Sequence, residues 1–120
     1  MISDKERQIL ESLASKEYRE AFSSDVGTGI AFQVKLMREN RGWSQSDLAD
    51  RLGTNHSRIS RWENPNYGRY SLTTLKALAA VFDVALLVKF IPFSELVKDL
   101  LSISDVSLSP PSYDSEKEEQ

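Results

Sequence analysis

The sequence predicts an all-α protein with one short β-strand near its C-terminus. Apolar residues recur every three or four positions, and Ser, Asn or Gly stand where each of these helical patterns begins or ends. The strand is predicted because the run ALLVKFI, from Ala85 to Ile91, is short and apolar and contains β-branched and aromatic residues. The 120 residues suffice for one domain with a real core but not for two large ones.

Each helix is predicted from its own pattern. Between residues 3 and 22, Ile9, Leu13 and Phe22 share an apolar stripe, and Ser3 with Glu6 fits a capping box. The stretch DVGTG (25–29) interrupts this pattern. Further helices are predicted over 30–41, 44–52, 55–63, 71–82 and 94–101.

These elements divide the chain into four predicted segments. We expect an N-terminal helical extension (1–26), a central helical domain (27–83), a strand with a short helix (84–101) and a disordered acidic tail (102–120). There is no cysteine, which excludes disulfides and thiolate metal sites. No apolar run approaches the roughly 18 residues of a membrane span, and the first ten residues lack the apolar core of a signal peptide. A cytoplasmic protein that does not enter a membrane is therefore expected.

The net charge of −3 hides two segments of opposite sign. From residue 28 to residue 76 there are eight basic and four acidic residues, whereas the tail from residue 102 has five acidic residues and one lysine. A basic middle segment is typical of a domain that binds nucleic acid, even when the whole chain is acidic.

The spacing of three small or apolar residues predicts a helix-turn-helix. Ala49 is small enough to lie where two helices cross, and Gly53 allows the positive φ that a sharp turn requires. Ile59 anchors the second helix from inside, so the two helices meet at a steep angle around a short turn.

The outer face of the second helix is polar, which favours contact with DNA bases. The predicted base contacts are His56, Ser57, Ser60 and Arg61. Arg61 can make a bidentate contact to guanine in the major groove. An exposed histidine or serine can equally be a solvated side chain, so His56 alone decides nothing.

Phosphate contacts are predicted around this face. Ser44 and Gln45 can offer backbone N–H groups and a side-chain amide to a phosphate. For Arg58, a phosphate contact and a surface salt bridge remain open alternatives, and the loop residues Tyr67 and Arg69 can touch the DNA backbone or stay in solvent. The full predicted phosphate set is Ser44, Gln45, Asn55, Arg58, Asn64, Tyr67 and Arg69.

The residues LMRENRGWSQSDLADRLG (36–53) and ISRWEN (59–64) resemble the Cro and phage-repressor (XRE) class of helix-turn-helix regulators. The resemblance covers about residues 30–84 and implies a λ-repressor-like bundle of five helices, with the helix 55–63 in the major groove. It also implies that Gln45 and Asn64 meet phosphates and that Arg38 and Glu63 form a structural ion pair. Trp62 is bulkier than the usual residue at its position, and the two flanks lie outside the common motif.

The predicted strand needs a pairing partner, because a lone strand leaves its N–H and C=O groups unpaired. No second strand is evident, so the same strand of a second copy is the expected partner across a two-fold axis, through Val84, Leu86, Val88 and Phe90. Such a dimer would place two recognition helices about 34 Å apart on a palindromic operator. The alternative is a packed irregular segment without a role in dimerisation.

The sequence therefore predicts a bacterial or phage regulator, a repressor that binds double-stranded DNA as a homodimer. The alternative is an antitoxin that binds a toxin protein as well as its own promoter. An enzyme is not expected, because the chain has one histidine, no clustered carboxylates and no Gly-rich phosphate loop. Neither a cofactor nor a metal ion is expected.

Overall fold

A computed structural model describes residues 2–23, 26–102 and 108–118. The helices are α1 (Asp4–Ser12), α2 (Lys16–Ser23), α3 (Val26–Asn40), α4 (Gln45–Leu52), α5 (His56–Trp62), α6 (Leu72–Phe82), α7 (Phe93–Leu101) and α8 (Tyr113–Glu118). Contacts within the chain define two compact units. We call Met1–Asp25 with Val88–Ser104 the flanking unit, and Val26–Leu87 with Asp105–Gln120 the central unit.

The core of the central unit is built from the apolar faces of α3, α4, α5 and α6. Its buried side chains are Val34, Met37, Leu48, Ala49, Ile59, Leu78 and Phe82. Half-buried residues, among them Trp43 and Trp62, pack around this cluster. The buried residues of α3 lie three positions apart and those of α6 four positions apart, so the periodicity in the sequence correctly predicts these helices.

Local bonds fix where these helices begin and end. Ser44 Oγ accepts from the Asp47 N–H, and the Asp47 carboxylate accepts from the Ser44 N–H, which completes a capping box. Ser71 caps α6 through the Thr74 N–H. At its other end, α6 stops at Asp83, which adopts the left-handed conformation at φ 59° that glycine more often supplies.

The predicted C-terminal strand is wrong. Residues 84–91 form neither helix nor strand, and no strand occurs in the described ranges 2–23, 26–102 and 108–118. A strand with one buried face would alternate its exposure, but Leu86, Leu87 and Val88 are all exposed. Val84, at the start of this segment, packs against the core of the central unit. Apolar composition indicated a strand here, but no neighbouring strand completes the backbone hydrogen bonds.

Helix boundaries differ from the predicted ones at the N-terminus. The single helix expected over 3–22 is divided into α1 and α2, and the Arg19 guanidinium donates to the carbonyls of Leu13 and Ala14 between them. Helix α3 already begins at Val26, inside the stretch expected to interrupt the helix. Glycine lowers helix propensity by only about 1 kcal/mol, which neighbouring helical residues can offset.

The described part of the C-terminal segment differs from the disordered tail predicted over 102–120. Residues 108–118 belong to the central unit and include α8. Composition predicted disorder because the segment is polar and proline-containing, but its order comes from individual bonds that composition does not reveal. Residues 103–107, 119 and 120 lie outside the described residues.

The flanking unit is small. Helix α1 packs against α7, and Leu13 and Val97 are its buried apolar side chains among the described residues. Across the part of the chain that the structure describes, no helix is both long and apolar enough to cross a membrane.

Candidate nucleic-acid interface

The turn between α4 and α5 holds the two helices in a fixed relation. Gly53 ends α4 at φ 68°, and the Thr54 N–H donates to the Ala49 carbonyl over 2.9 Å. Asn55 Oδ1 then accepts from the Arg58 N–H at 2.9 Å and caps α5. Thr54 and Asn55 of the turn thus bond to the last turn of α4 and the first turn of α5, which fixes the direction in which α5 leaves α4.

Helix α5 presents a polar face to solvent. Ile59 is fully buried and Trp62 is half-buried, whereas every other residue of the helix is exposed. The structure brings the four predicted base contacts, His56, Ser57, Ser60 and Arg61, onto one exposed side that spans about 140° of arc. Arg58 lies at the edge of this face and is exposed as well.

An ion pair ties the end of α5 to α3. Arg38 Nε lies 2.6 Å from Glu63 Oε2, and Arg38 Nη2 donates to Glu63 Oε1 at 2.9 Å. Arg38 Nη1 also donates to the Trp43 carbonyl at 2.8 Å. The hydrogen bond to Glu63 is the largest effect on the pKa of Arg38, which is raised. Only 4 % of the Glu63 side chain is exposed, and the Arg38 guanidinium neutralises its negative charge within the protein at the end of α5.

The first turn of α4 is committed to internal contacts. Gln45 Nε2 donates to Glu63 Oε1 at 3.1 Å, so one of the two hydrogens of the Gln45 amide points into the protein. The Ser44 N–H, predicted as a phosphate donor, is taken by the Asp47 carboxylate at 2.8 Å. The same bond is the main cause of the lowered pKa of Asp47. Phosphate contact at this turn would have to come from groups outside these bonds.

The loop after α5 is anchored by Tyr70. Its hydroxyl donates to the Trp62 carbonyl, and its ring meets Tyr67 edge to face at 5.0 Å. Burial, with smaller effects of Tyr67 and Glu63, raises the pKa of Tyr70 to about 12. Because its hydroxyl is used inside the protein, Tyr70 is a structural residue of the loop.

Two of the predicted phosphate contacts in this loop remain exposed. Asn64 and Arg69 are exposed, and Tyr67 is half-buried. Asn64 Oδ1 accepts from the Asn66 N–H at 2.9 Å, which forms a local turn, and Thr28 Oγ1 donates to the Pro65 carbonyl at 3.2 Å. The loop is thereby tied to α3 while Arg69 stays free to face a DNA backbone.

Trp43 is a structural residue that fixes the start of α4. Its ring stacks on Phe82 at 5.7 Å with an interplanar angle of 11°, and the Arg51 guanidinium lies 4.1 Å from the centre of its ring. This contact of Arg51 is not predicted from the sequence: Arg51 lies in the last turn of α4, eight positions after Trp43.

Comparison with known proteins supports a DNA-binding role for this geometry. Residues 34–88 match the family model described as "Helix-turn-helix". The chain is 28 % identical over 86 residues to a protein of Neisseria meningitidis named "Neisseria hypothetical transcription factor", covering 72 % of this chain and 80 % of that protein.

Two further relatives are shorter matches. The chain is 41 % identical over 59 residues to the "Competence pilus inhibition repressor" of Acinetobacter baylyi, and 43 % identical over 47 residues to "Antitoxin HipB" of Escherichia coli K12. The matches cover 49 % and 39 % of this chain, and about half the length of each of these two relatives (49 % and 52 %). No solved structure shows a significant match to the chain.

Proposed function

We propose that the chain is a DNA-binding repressor of the Cro and phage-repressor class, because residues 34–88 match a helix-turn-helix family model and its relatives include proteins named as a transcription factor and a repressor. The observation that supports this most directly is the exposed polar face of α5, held in place by the turn at Gly53 and by the pair Arg38–Glu63. In this proposal, the bound protein blocks transcription by occupying an operator. It acts in the cytoplasm and requires no cofactor.

In the proposed complex, α5 lies in the major groove. His56, Ser57, Ser60 and Arg61 meet base edges, and Arg61 makes the bidentate contact to guanine. Phosphates on either side are held by Ser44, Gln45, Asn55, Arg58, Asn64, Tyr67 and Arg69; Ser44 contributes its hydroxyl hydrogen and Gln45 the second hydrogen of its amide, because their other donors are used within the protein. Since Gln45 also donates to Glu63, its amide is held in one orientation before DNA arrives.

We further propose that the repressor is a homodimer on a palindromic operator. Leu86, Val88 and Phe90 are exposed apolar side chains within five residues, and a second copy would remove them from water. Val84, which the sequence analysis placed in the same interface, packs instead against the core. A two-fold axis would set two copies of α5 about 34 Å apart.

A second candidate function rests on the similarity to antitoxins. Relatives named "Antitoxin HipB" from two Escherichia coli strains are 45 % and 43 % identical to this chain over 47 residues. In this alternative, the chain binds a toxin protein in addition to its own promoter. A small reading frame beside its gene, whose product co-purifies with the chain, would favour the antitoxin.

Fluorescence anisotropy with the DNA upstream of the gene, against scrambled DNA of equal length, tests the proposed repressor. We expect the upstream DNA to bind at least about a thousandfold more tightly at physiological salt. Both affinities should fall as salt rises, because bound phosphates release counterions. Equal affinity for the two DNAs at every salt concentration would contradict an operator in this region.

A further inference from the structure

An apolar groove runs between α3 and α6 in the central unit. It encloses about 90 Å³ and is lined mainly by Val34, Met37, Leu75, Leu78 and Phe82. Pro110 also lines the groove, although it lies 26 positions after the start of the irregular segment at Val84. The C-terminal segment thus returns to the unit that contains the helix-turn-helix.

Arg41 holds this returning segment at the end of α3. Its Nη2 donates both to the Phe82 carbonyl at 2.9 Å and to the Pro110 carbonyl at 3.2 Å. Its Nη1 donates to the Met37 carbonyl at 3.2 Å, and the guanidinium lies 5.2 Å from the centre of the Phe82 ring. One side chain therefore joins the ends of two helices to a carbonyl of the C-terminal segment.

Two more bonds fix the segment on either side of Pro110. Asn40 Nδ2 donates to Ser109 Oγ at 2.7 Å, and the Tyr113 N–H donates to the Asp83 carbonyl at 2.8 Å. Asp83 ends α6 in the left-handed conformation, so its carbonyl lies beyond the last turn of the helix and accepts from the segment instead. Most of these contacts use backbone groups and a proline ring, which any extended segment of the same spacing can supply.

We propose that the groove between α3 and α6, together with the helix ends beside it, is a docking site for an extended, proline-containing segment followed by acidic residues, and that residues 109–113 cover this site in the free protein. The chain's own segment defines the chemistry of the partner. It offers a prolyl ring to the groove, a carbonyl to Arg41 and an N–H to Asp83, and Asp114 and Glu116 follow directly.

A partner with such a segment must displace the one already in place. A tethered segment acts at an effective concentration of the order of millimolar, so external peptide binds the wild-type chain weakly. The site becomes available when the contacts of the tethered segment are weakened or the segment is removed. The C-terminal segment therefore competes with a protein partner for the same site. The proposal does not depend on DNA binding, because the groove lies between α3 and α6 and none of its lining residues belongs to α5.

The test uses the full chain and a fluorescent peptide of the sequence LSPPSYDSEKE, residues 108–118. In the double variant Pro110→Glu, Tyr113→Pro, the tethered segment loses its ring in the groove and its N–H donor. We expect this variant to bind the peptide at least tenfold more tightly than the wild-type chain in an anisotropy titration. The matched control is the peptide with the same two substitutions, which should not bind either protein.

Each other outcome overturns the proposal. Equal binding of the peptide by the variant and the wild-type chain would show that residues 109–113 do not occupy the site. Equal binding of both peptides would reveal a general attraction of acidic peptides to a basic surface. Wild-type self-association that the double variant abolishes would assign the groove to the segment of a second copy.

Hydrogen exchange on the wild-type chain tests the same contact should the variant fail to fold. The Tyr113 N–H is expected to exchange at least tenfold more slowly than in the free peptide, because it donates to Asp83. Exchange at the rate of the free peptide would overturn the proposal independently of any substitution.

Discussion

Arg38 and Glu63 lie 25 positions apart in the sequence and form a bidentate ion pair, with N–O distances of 2.6 and 2.9 Å. The pair joins α3 to the residue that ends the recognition helix, and Gln45 of α4 donates to the same carboxylate. Three helices therefore converge on one carboxylate, of which only 4 % is exposed. The orientation of α5 depends on this carboxylate being paired.

Replacing Arg38 with alanine should destabilise the protein strongly. The substitution leaves the Glu63 carboxylate buried without its cation, and breaking such a pair typically lowers the free energy of unfolding by about 3–5 kcal/mol. Because 11 % of the Arg38 side chain is exposed, we expect the lower end of this range. Urea unfolding followed by tryptophan fluorescence measures the change.

The double variant Arg38→Met, Glu63→Met is the control for this prediction. It removes both charges at once, so it should recover most of the stability that Arg38→Ala loses. An unchanged urea midpoint in Arg38→Ala would show that solvent neutralises Glu63 and that the pair is not structural.

Arg61 and Arg58 should differ in how their removal affects DNA binding. Arg61→Ala should weaken binding to the operator by about 1–3 kcal/mol and relax base preference at one position, because it would remove the proposed bidentate contact to guanine. Arg58→Ala is the matched control, since this exposed arginine lies at the edge of the same helix. Loss of a phosphate contact should weaken operator and random DNA alike.

Anisotropy titrations with operator, single-base variants and random DNA distinguish the two arginines. If Arg61→Ala lowers the affinity for operator and random DNA by the same factor, Arg61 contacts phosphate and base recognition lies elsewhere on α5.

Tyr70→Phe should change the stability of the protein at high pH. Burial raises the pKa of Tyr70 to about 12, whereas an unperturbed tyrosine ionises near 10. The folded protein therefore retains a proton that the unfolded chain loses. This contribution to stability is fully present below about pH 10 and is lost as the pH rises toward 12.

The comparison is made between wild-type and Tyr70→Phe chains in urea unfolding from pH 9 to pH 11. The wild-type chain should lose stability more steeply with pH, because only it must ionise this buried phenol. The variant should also be less stable at neutral pH by about 1 kcal/mol, since the Trp62 carbonyl loses its donor. Parallel pH profiles would mean that the Tyr70 hydroxyl is accessible to solvent.

Sequence patterns predict the central unit well because its signals are local. Ser44 with Asp47, the glycine at position 53 and the buried Ile59 each act within a few residues, and the family match over residues 34–88 confirms the resemblance that they indicate. The same local reasoning wrongly predicts a strand over residues 84–91, because strand formation depends on a neighbouring strand that is distant in sequence.

Contacts that join distant residues are also absent from the local pattern. The bond from Arg41 to the Pro110 carbonyl spans 69 positions, and no periodicity in either segment signals it. Composition alone therefore predicted a disordered tail, whereas residues 108–118 dock onto the ends of α3 and α6. The stack of Arg51 on Trp43 escaped prediction for a related reason, since a cation above a ring requires a side-chain orientation that spacing does not determine.

Phe90 is fully exposed and Val88 is 62 % exposed, which makes this segment the place to test the proposed homodimer. The double variant Val88→Ser, Phe90→Ser should keep its melting temperature at low protein concentration, because exposed side chains contribute little to the stability of one chain. It should nevertheless sediment as a monomer at concentrations at which the wild-type chain is a dimer. Lys89→Ser, between the two positions, is the matched control and should leave the dimer intact.

Loss of the dimer should also weaken operator binding. A monomer engages one half-site at a time, whereas a dimer links two binding events through a high effective concentration and gains about a hundredfold or more in affinity. The Val88→Ser, Phe90→Ser variant should therefore bind a full palindrome no more tightly than an isolated half-site. A variant that remains dimeric would place the interface elsewhere on the chain, and a wild-type chain that is monomeric on its operator would contradict the two-fold complex itself.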